Sequence, residues 1–581
     1  MSAPSAVAAR VATDALHPAP QPNAGVASTR PLFRPATPRT AVALQSVASL
    51  LWLPQAALIA YAIGSISDSA PAQLAILPAL GIFLLGVLRA ALDRAGIAGA
   101  YDAARVHLSM LRGRAAASVA TRSPLDAARP SSGLVASTLT EQADAIVPYL
   151  ARFQPLRMRA AIVPLVIFGV IFAFSWVAAL VLLIATPVIP LFMALIGWQA
   201  KAASEKQLVR MGDMNAFLLD RLRGLSTIRA YGAVDRTASQ LRADAENLRN
   251  STMTVLRTAF LSSAVLELFA ALGVALVAVY IGFHFLGELN FGAWGGKLTL
   301  AQGLFILLLA PAFFEPLRDL SSVWHDRAAG QAGLEALEGI VAGGSEIVGH
   351  VEHESGEPLV GPLSVEVECL SFHHAGSSSR VFEELTFSIR PGEQVAIMAP
   401  SGGGKSTLLA LLAGLAVPES GIIRLGGEPL NDANAARLRA GMAWLGQPPH
   451  IFSGTLAGNV TLGRDNIGKE AIAQAMDIAR ITPLAAQRGP SPIGESGVGL
   501  SGGEALRLAL ARAACGSRPG LILVDEPTAH LDSTTAAEIT ERLLAIADGA
   551  TLVVATHDPA LAARMERIVT LPVPAKKRVP G

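Results

Sequence analysis

Long stretches of this chain carry almost no charge. Five of them are close to or above the length of a membrane-spanning helix, and they cover Ala41 to Ile66, Leu74 to Leu92, Ala160 to Trp198, Thr258 to Phe285 and Leu298 to Phe314. These runs lack the polar stripe at helical spacing that a helix on the surface of a soluble protein needs. We therefore expect transmembrane helices in contact with membrane lipid, and not the buried helices of a soluble bundle.

The third run is too long for one crossing. About 39 residues at 1.5 Å each give roughly 58 Å, against a hydrocarbon core of about 30 Å. We therefore predict a hairpin that turns near Phe174, Ser175 and Trp176, which brings the number of spans to six. Composition agrees, since hydrophobic residues make up 52% of the chain and charged residues 16%, whereas an ordinary soluble domain carries about 25% charge.

Positive charge is concentrated in two segments outside the spans, 93–159 and 199–257. The loops between the other spans contain only one lysine, Lys297, and no arginine. By the positive-inside rule, both chain termini and both basic segments should lie in the cytoplasm. We expect each segment to form helices that project beyond the bilayer and return, with Gly224 and Gly232 as turning points in the second segment. The net charge of +1 gives no general attraction to nucleic acid, so no nucleic-acid partner is expected.

A glycine-rich segment follows the short apolar strand Gln394 to Met398 and precedes an apolar helix from Leu408 to Leu415. Its residues are Ser401, Gly402, Gly403, Gly404, Lys405, Ser406 and Thr407. This strand-loop-helix pattern predicts a P-loop, in which backbone N–H groups surround phosphates, Lys405 reaches the β- and γ-phosphates, and Ser406 binds Mg²⁺. Ala399 stands where such loops usually have their first glycine. If this position needs a positive φ, we expect a cost of roughly 1 kcal/mol.

A second apolar strand, Leu521 to Val524, ends in two carboxylates, Asp525 and Glu526. Asp525 suits Mg²⁺, and Glu526 suits the base that polarises a water molecule. An apolar run that ends in two acids is more often structural. Because this one follows a P-loop, the sequence favours a catalytic role.

Between these motifs, Ser501, Gly502, Gly503 and Glu504 open a helix that runs from Ala505 to Ala514. A serine and glycine N–H groups at a helix N-terminus form an anion site. The P-loop already accounts for the phosphates of one nucleotide, so this second site is expected to bind the ATP of another chain.

The order of these motifs from Gly361 to Leu571 resembles the ABC ATPase family, in which two nucleotide domains sandwich two ATP molecules. The resemblance implies ATP and Mg²⁺ as ligands. It also implies that Gln447 is the Q-loop glutamine and a Mg²⁺ ligand, that Asp532 is the D-loop acid, and that His557 is the switch histidine at the γ-phosphate.

Two positions depart from the family pattern. His374 stands where the family usually stacks an aromatic ring on the adenine, and Glu504 replaces the usual glutamine of the signature. An extra carboxylate near a triphosphate is expected to repel it if the two are close and poorly screened.

The whole chain resembles an ABC exporter half-transporter. The fold class expected is a six-helix α-helical transmembrane domain of ABC exporter type, followed by an α/β P-loop ABC ATPase domain. We predict a disordered tail at 1–40, a transmembrane domain with cytoplasmic coupling helices at 41–320, a linker at 321–360, and the nucleotide-binding domain at 361–581.

Four segments resemble the CydD family of half-transporters more specifically; they are Phe217 to Gly224, Arg257 to Gly292, Ala310 to Leu320 and Gln447 to Phe452. The resemblance implies a heterodimer with a CydC-like half-transporter in the bacterial inner membrane. It implies export of the thiols glutathione and cysteine to the periplasm, in support of cytochrome bd and c-type cytochrome assembly. It also implies haem as a ligand of the complex.

Two other functions stay open at this point. One is export of a lipid, a drug or a haem-like cargo, and the other is a membrane-anchored subunit that senses ATP or haem without turnover. Glu267 lies about ten residues into an apolar run, where an ionisable group is costly. It is a candidate for the substrate path, while pairing with a neighbouring helix or snorkelling is an equal alternative. We expect Arg318, near a span end, to be an interfacial anchor.

Overall fold

The computed structural model describes residues 39–67, 75–187, 224–349, 359–464, 467–493 and 499–572 apart from 295, 378 and 490, with a few single residues between 210 and 222. The chain divides into two compact units. The helical unit contains residues up to 115 and 136–339, and the α/β unit contains 116–135 and the chain from 340 onward. Most of the predicted tail lies outside the described residues, and a helix begins at Arg39.

Long apolar helices make up the helical unit. The described helices are Arg39–Leu50, Trp52–Ser67, Ile76–Ala120, Ser132–Ser137, Ile146–Pro148, Gln154–Phe174, Leu225–Ala230, Val234–Leu286, Leu300–Ser322 and Trp324–Val341. Two π-helical turns, Thr138–Gln142 and Tyr149–Phe153, lie between them. Ala120 and Val341 end their helices just inside the α/β unit.

Five helical stretches of the described chain are long and apolar enough to cross a membrane; they are Arg39–Ser67, Ile76–Ala120, Ser132–Phe174, Glu267–Leu286 and Leu300–Val341. A shorter apolar helix, Trp176–Pro187, stands at the place of the remaining predicted span. Residues 188–209, which would complete that span, lie outside the described part. The chain is therefore a multi-pass membrane protein.

The helix of the third apolar run is interrupted at Ser175, where the hairpin turn is predicted. This residue leaves helical geometry, with φ of −150° and ψ of 117°. Its Oγ donates to the carbonyl of Gly292 at 2.8 Å, and the indole of Trp294 donates to the carbonyl of Phe172 at 2.7 Å. The turn thus meets the loop that follows Leu286, as expected if both loops lie on one side of the membrane.

Two helices are much longer than a bilayer is thick. Ile76–Ala120 has 45 residues and Val234–Leu286 has 53, which at 1.5 Å each correspond to about 68 and 80 Å. The basic segments therefore continue the spans as helices beyond a hydrocarbon core of about 30 Å. A turn at Gly232, with φ of +62°, precedes the second of them.

The α/β unit is built on two sheets. In chain order, strands β1 to β9 are Val365–His373, Arg380–Ile389, Gln394–Met398, Ser420–Leu425, Glu428–Pro429, Met442–Leu445, Leu521–Asp525, Thr551–Thr556 and Arg567–Thr570. An antiparallel sheet has the strand order β2-β1-β4-β5, and a parallel sheet has the order β6-β7-β8-β3-β9. The helices are Lys405–Leu412, Ala435–Ala440, Leu456–Thr461, Lys469–Ile478, Thr482–Arg488, Gly502–Ala514, Ser533–Ile546 and Pro559–Ala562.

The parallel sheet is buried on both faces, as the continuous apolar strand sequences require. Alternate residues of β7 point to opposite sides, so that Ile522 and Val524 join one core cluster while Leu521 and Leu523 join the other. The carboxyl ends of β6, β7, β8 and β3 consequently lie side by side at one edge of the sheet, where functional loops of such folds are found.

A short segment from the first basic loop belongs to the α/β unit. Ser123 donates from its Oγ to the carbonyl of Leu415 at 2.6 Å, and Leu125 packs against the core cluster under the antiparallel sheet. Arg122 donates to the carbonyl of Ile340 at 3.1 Å and also contacts that of Gly343. Arg122 thereby joins the first basic segment to residues 340–343 of the predicted linker.

Candidate nucleotide site

The glycine-rich loop after β3 has the backbone geometry of a phosphate-binding loop. Gly402 and Gly404 have φ values of +77° and +86°, which non-glycine residues rarely adopt. A Cβ at Gly404 would lie 2.6 Å from Val381 Cγ1, so this position needs glycine for space as well. Ala399 is not among the residues with positive φ. The cost that depended on a positive φ at Ala399 therefore does not arise.

Three strand ends bring charged side chains into a chain of contacts. Lys405 Nζ lies 3.2 Å from Glu526 Oε1, and both side chains are nearly buried, at 8% and 11% exposure. Glu526 Oε2 lies 2.6 Å from His557 Nδ1. These residues follow β3, β7 and β8, which are neighbours in the sheet.

Glu526 has a φ of +46°, an uncommon conformation for a non-glycine residue. Such strain typically costs of order 1 kcal/mol and persists where the surroundings enforce it. Here the N–H of Glu526 donates to the carbonyl of Ala555 on β8 at 2.9 Å. The strained turn therefore fixes the carboxylate between Lys405 and His557.

Asp525 ends β7 as a strand residue, one residue beyond the predicted strand end. Its side chain is buried, and burial raises the pKa of this carboxyl, although the hydrogen bond with Ser406 opposes the shift. Its Oδ1 has no hydrogen-bond partner in the described part of the chain. A buried carboxylate oxygen without a partner, beside a serine hydroxyl, fits the hard oxygen ligands that Mg²⁺ prefers.

Two predicted residues approach this edge from other strands. Gln447 follows β6, whose Leu445 pairs with Val524 of β7, so it stands on the same edge as Asp525. His374 Nε2 lies 3.4 Å from Thr407 Oγ1 on the P-loop helix. Its ring packs edge-on against Phe372, with centroids 5.3 Å apart.

The signature serine caps the helix Gly502–Ala514. Ser501 Oγ accepts from the N–H of Glu504 at 3.3 Å, and Glu504 Oε2 accepts from the N–H of Ser501 at 2.7 Å and from its hydroxyl at 2.9 Å. The hydrogen bond from the Ser501 backbone is the main cause that lowers the pKa of Glu504. Glu504, which departs from the family pattern, thus forms a capping box with Ser501. Gly503 lies in this first turn, where an added Cβ would be 3.1 Å from Thr535.

The predicted D-loop acid also has a local structural task. Asp532 Oδ1 accepts from the N–H groups of Thr534 and Thr535 at 3.1 and 3.0 Å, and so caps the helix Ser533–Ile546. The hydroxyl of Thr535 donates to the other oxygen, and this bond is the main cause that lowers the pKa of Asp532.

Two supporting residues were missed in the sequence. Arg512 donates to the carbonyls of Asn459 and His450 at 3.0 and 3.1 Å, which ties the loop after Gln447 to the signature helix. Asp558 accepts from Thr528 at 2.9 Å and so holds the segments that follow Glu526 and His557 together. Neither belongs to a short motif, but the position of Asp558 directly after His557 was a usable signal.

Glu267 in the helical unit pairs with a neighbouring helix. Arg318 Nη1 donates to both of its carboxylate oxygens, at 3.1 and 3.2 Å. Helix pairing was one of the two alternatives for Glu267, whereas Arg318 was expected only to anchor the helix at the interface.

Within the described residues, no group of three or more His, Cys, Asp or Glu side chains could hold a metal ion.

The P-loop, the two carboxylates after β7, the histidine after β8 and the capped signature helix together define the ATPase of an ABC transporter. Residues 382–529 match the family described as ABC transporter, and residues 42–307 match the ABC transporter transmembrane region. The chain belongs to the ABC transporter family, and is an ATP-hydrolysing half-transporter of the exporter type.

Among its relatives are two bacterial proteins with specific names. The chain is 37% identical to the transport ATP-binding protein AarD of Providencia stuartii, over 73% of this chain and 72% of that protein. It is 36% identical to the glutathione/L-cysteine transport system ATP-binding/permease protein CydD of Escherichia coli, over the same shares. A solved structure of a bacterial Atm1-family ABC exporter with ATP bound matches the fold with a TM-score of 0.72, 24% identity and 92% coverage of each chain.

Proposed function

We propose that this chain is one half of a heterodimeric exporter that uses ATP to move the thiols glutathione and cysteine from the cytoplasm to the periplasm. A CydC-like half-transporter is the proposed partner, and the proposed location is the bacterial inner membrane, with both termini in the cytoplasm. The observation that carries the proposal is the 36% identity over 73% of the chain to a protein named for glutathione and cysteine transport. In this proposal, export supports cytochrome bd and c-type cytochrome assembly, and haem is a further ligand of the complex.

The contacts after β3, β7 and β8 support specific roles in ATP hydrolysis. Residues 401–407 and His374 would bind the nucleotide, with Lys405 at the β- and γ-phosphates. Asp525, Ser406 and Gln447 would hold Mg²⁺, which supplies charge neutralisation at the phosphates. Glu526, fixed between Lys405 and His557, would accept a proton from water.

The signature is proposed to act on the partner's nucleotide. Ser501, Gly502, Gly503 and Glu504 lie at the start of a 13-residue helix, whose N-terminus favours anions. Asp532, which caps a second helix, is proposed to act as the D-loop acid. For the domain organisation we propose the tail at 1–40, the transmembrane domain at 41–320, the linker at 321–360 and the ATPase at 361–581.

The experiment is uptake of labelled cysteine and glutathione into inverted membrane vesicles. Vesicles that contain the chain and its CydC-like partner should accumulate both thiols only when ATP is present. Lys405→Ala should abolish uptake by weakening ATP binding, and Glu526→Gln should slow hydrolysis at least about 100-fold while ATP still binds. Uptake of a labelled lipid in place of thiols would contradict the thiol proposal.

A further inference from the structure

The ion pair between Glu267 and Arg318 lies at a defined depth of the helical unit. The apolar stretch Glu267–Leu286 has 20 residues, which corresponds to about 30 Å at 1.5 Å each. Arg318 stands near the end of the helix Leu300–Ser322, about 27 Å from its start by the same rise. Both lengths are counted from the loop that joins the two helices. The ion pair therefore lies at the opposite end of the hydrocarbon core, which is the cytoplasmic side in the proposed topology.

Both partners are accessible in the described chain. The side chain of Glu267 is 64% exposed and that of Arg318 is 35% exposed. The hydrogen bonds of Arg318 to Glu267 use only Nη1, and a guanidinium has three nitrogens that donate. An exposed ion pair contributes about 0–1 kcal/mol to stability. Stability alone therefore gives little explanation for two charges at the ends of two apolar helices.

Other charges lie near Asp319, the residue that follows Arg318. Asp319, the next residue on the same helix, interacts electrostatically with Arg159, Glu315 and Asp93 as well as with Arg318. Arg159 and Asp93 belong to two further helices, Gln154–Phe174 and Ile76–Ala120. Four helices thus bring charge close to the end of the helix that carries Arg318.

We propose that Glu267 and Arg318 form a binding site for the α-amino acid group of the cargo. An α-amino acid carries an ammonium and a carboxylate close together, and these match a carboxylate and a guanidinium held side by side. Cysteine carries this group directly, and glutathione carries it on its γ-glutamyl residue. This inference rests on the proposed thiol export and adds a specificity determinant to it.

An ethanolamine phospholipid headgroup has related chemistry, since it also carries an ammonium beside an anionic group. A lipid would be held at the same depth, so the test must separate the two sources. The proposal commits to the amino acid group of a soluble thiol that arrives from the cytoplasm.

The test uses thiols that lack one charged group each. Cysteamine lacks the carboxylate of cysteine, and 3-mercaptopropionate lacks the ammonium. In inverted vesicles that contain the chain and its partner, each analogue should compete with labelled cysteine at least about tenfold less well than unlabelled cysteine does. Arg318→Gln should remove the discrimination against cysteamine, and Glu267→Gln should remove the discrimination against 3-mercaptopropionate.

Arg94→Gln is the matched control, because Arg94 is exposed at a similar depth on the helix Ile76–Ala120; this variant should discriminate as the parent does. A merely structural ion pair would lower uptake of labelled cysteine without changing the discrimination between the thiols, and this result in both variants would overturn the proposal. Variant effects that occur only in vesicles with phosphatidylethanolamine, and not in phosphatidylglycerol vesicles, would assign the site to lipid and also overturn it. A parent complex that takes up no thiol would contradict the proposed function itself, whereas thiol uptake with unchanged discrimination contradicts the site alone.

Discussion

The carboxylate of Asp525 is buried, which disfavours its charge, and it is also a proposed Mg²⁺ ligand. Burial raises its pKa, which means that the fold favours the protonated form over the charged one. At neutral pH the carboxylate is charged in the unfolded chain, so its charge lowers the stability of the folded state. This contribution appears as the pH rises through the ordinary carboxyl range and above it.

We therefore expect Asp525→Asn to raise the melting temperature of the magnesium-free protein at pH 7. The gain should shrink as the pH falls through the ordinary carboxyl range, because the carboxyl of the unfolded chain then becomes protonated too. The same variant should lower Mg²⁺-dependent ATP hydrolysis at least about 100-fold, because it removes a charged metal ligand. Thermal unfolding and phosphate release measure the two effects, and a destabilised variant at pH 7 would contradict the account of burial.

Glu504 sets the charge at the signature. Its carboxylate accepts a hydrogen bond from the hydroxyl of Ser501. This hydroxyl is the group proposed to contact the partner's ATP. Arg488 and Arg507 are close enough to offset part of this charge. Two unit charges about 6 Å apart in water still interact by about 0.7 kcal/mol, or roughly threefold in affinity.

Glu504→Gln should consequently raise ATP affinity or turnover at the partner's P-loop about threefold. The amide oxygen can still accept from the Ser501 backbone, so the helix cap is retained, and the amide nitrogen can leave the serine hydroxyl free to donate. Turnover is measured in a heterodimer whose own-chain site carries Glu526→Gln. Identical rates with and without Glu504→Gln would show that this position has no effect on the composite site.

At the scale of elements, sequence reasoning predicted the positions of those side chains that lie on a continuous motif. The P-loop, the two acids after β7 and the histidine after β8 could be predicted, because parallel strands present their carboxyl ends at one edge. The pairs Arg122 with Ile340 and Glu267 with Arg318 could not, since they join residues 218 and 51 positions apart. Each depends on how distant parts of the chain pack together, which no local pattern encodes.

Arg122 joins the first basic segment to the end of the helix Trp324–Val341. Its side chain is buried, donates to carbonyls at the end of the helix Trp324–Val341, and lies 3.8 Å from Asp126 Oδ2. Removal of one partner from a buried ion pair typically costs about 3 kcal/mol or more. This is a large part of the stability of a typical domain.

We expect Arg122→Ala to lower the unfolding temperature of the α/β unit and to weaken the dependence of transport on ATP hydrolysis. Arg129→Ala is the control, because Arg129 is exposed in the same segment. Thermal unfolding in detergent, together with the ratio of thiols moved to ATP hydrolysed, measures both effects. Equal behaviour of the two variants would show that the contacts of Arg122 have no role in stability or coupling.

At the scale of the whole molecule, the topology rests on two independent observations. The arginine distribution predicts that the basic segments lie in the cytoplasm, and the hydrogen bonds of Ser175 and Trp294 bring the turn at Ser175 and the loop after Leu286 together. A reporter that is active only in the periplasm, fused after Glu288, should therefore be active. A fusion after Ala233 should be inactive, and the opposite pattern would invert the proposed orientation.

The placement of residues 116–135 in the α/β unit has a consequence for synthesis on the ribosome. Their partner Leu415 is translated about 290 residues later, which at roughly 5–20 residues per second is a delay of about 15 to 60 s. Until residue 340 has been translated, Arg122, Ser123 and Leu125 have none of their final contacts with the later part of the α/β unit. Nascent chains in which this first segment is still unprotected should therefore accumulate whenever translation pauses before Leu415.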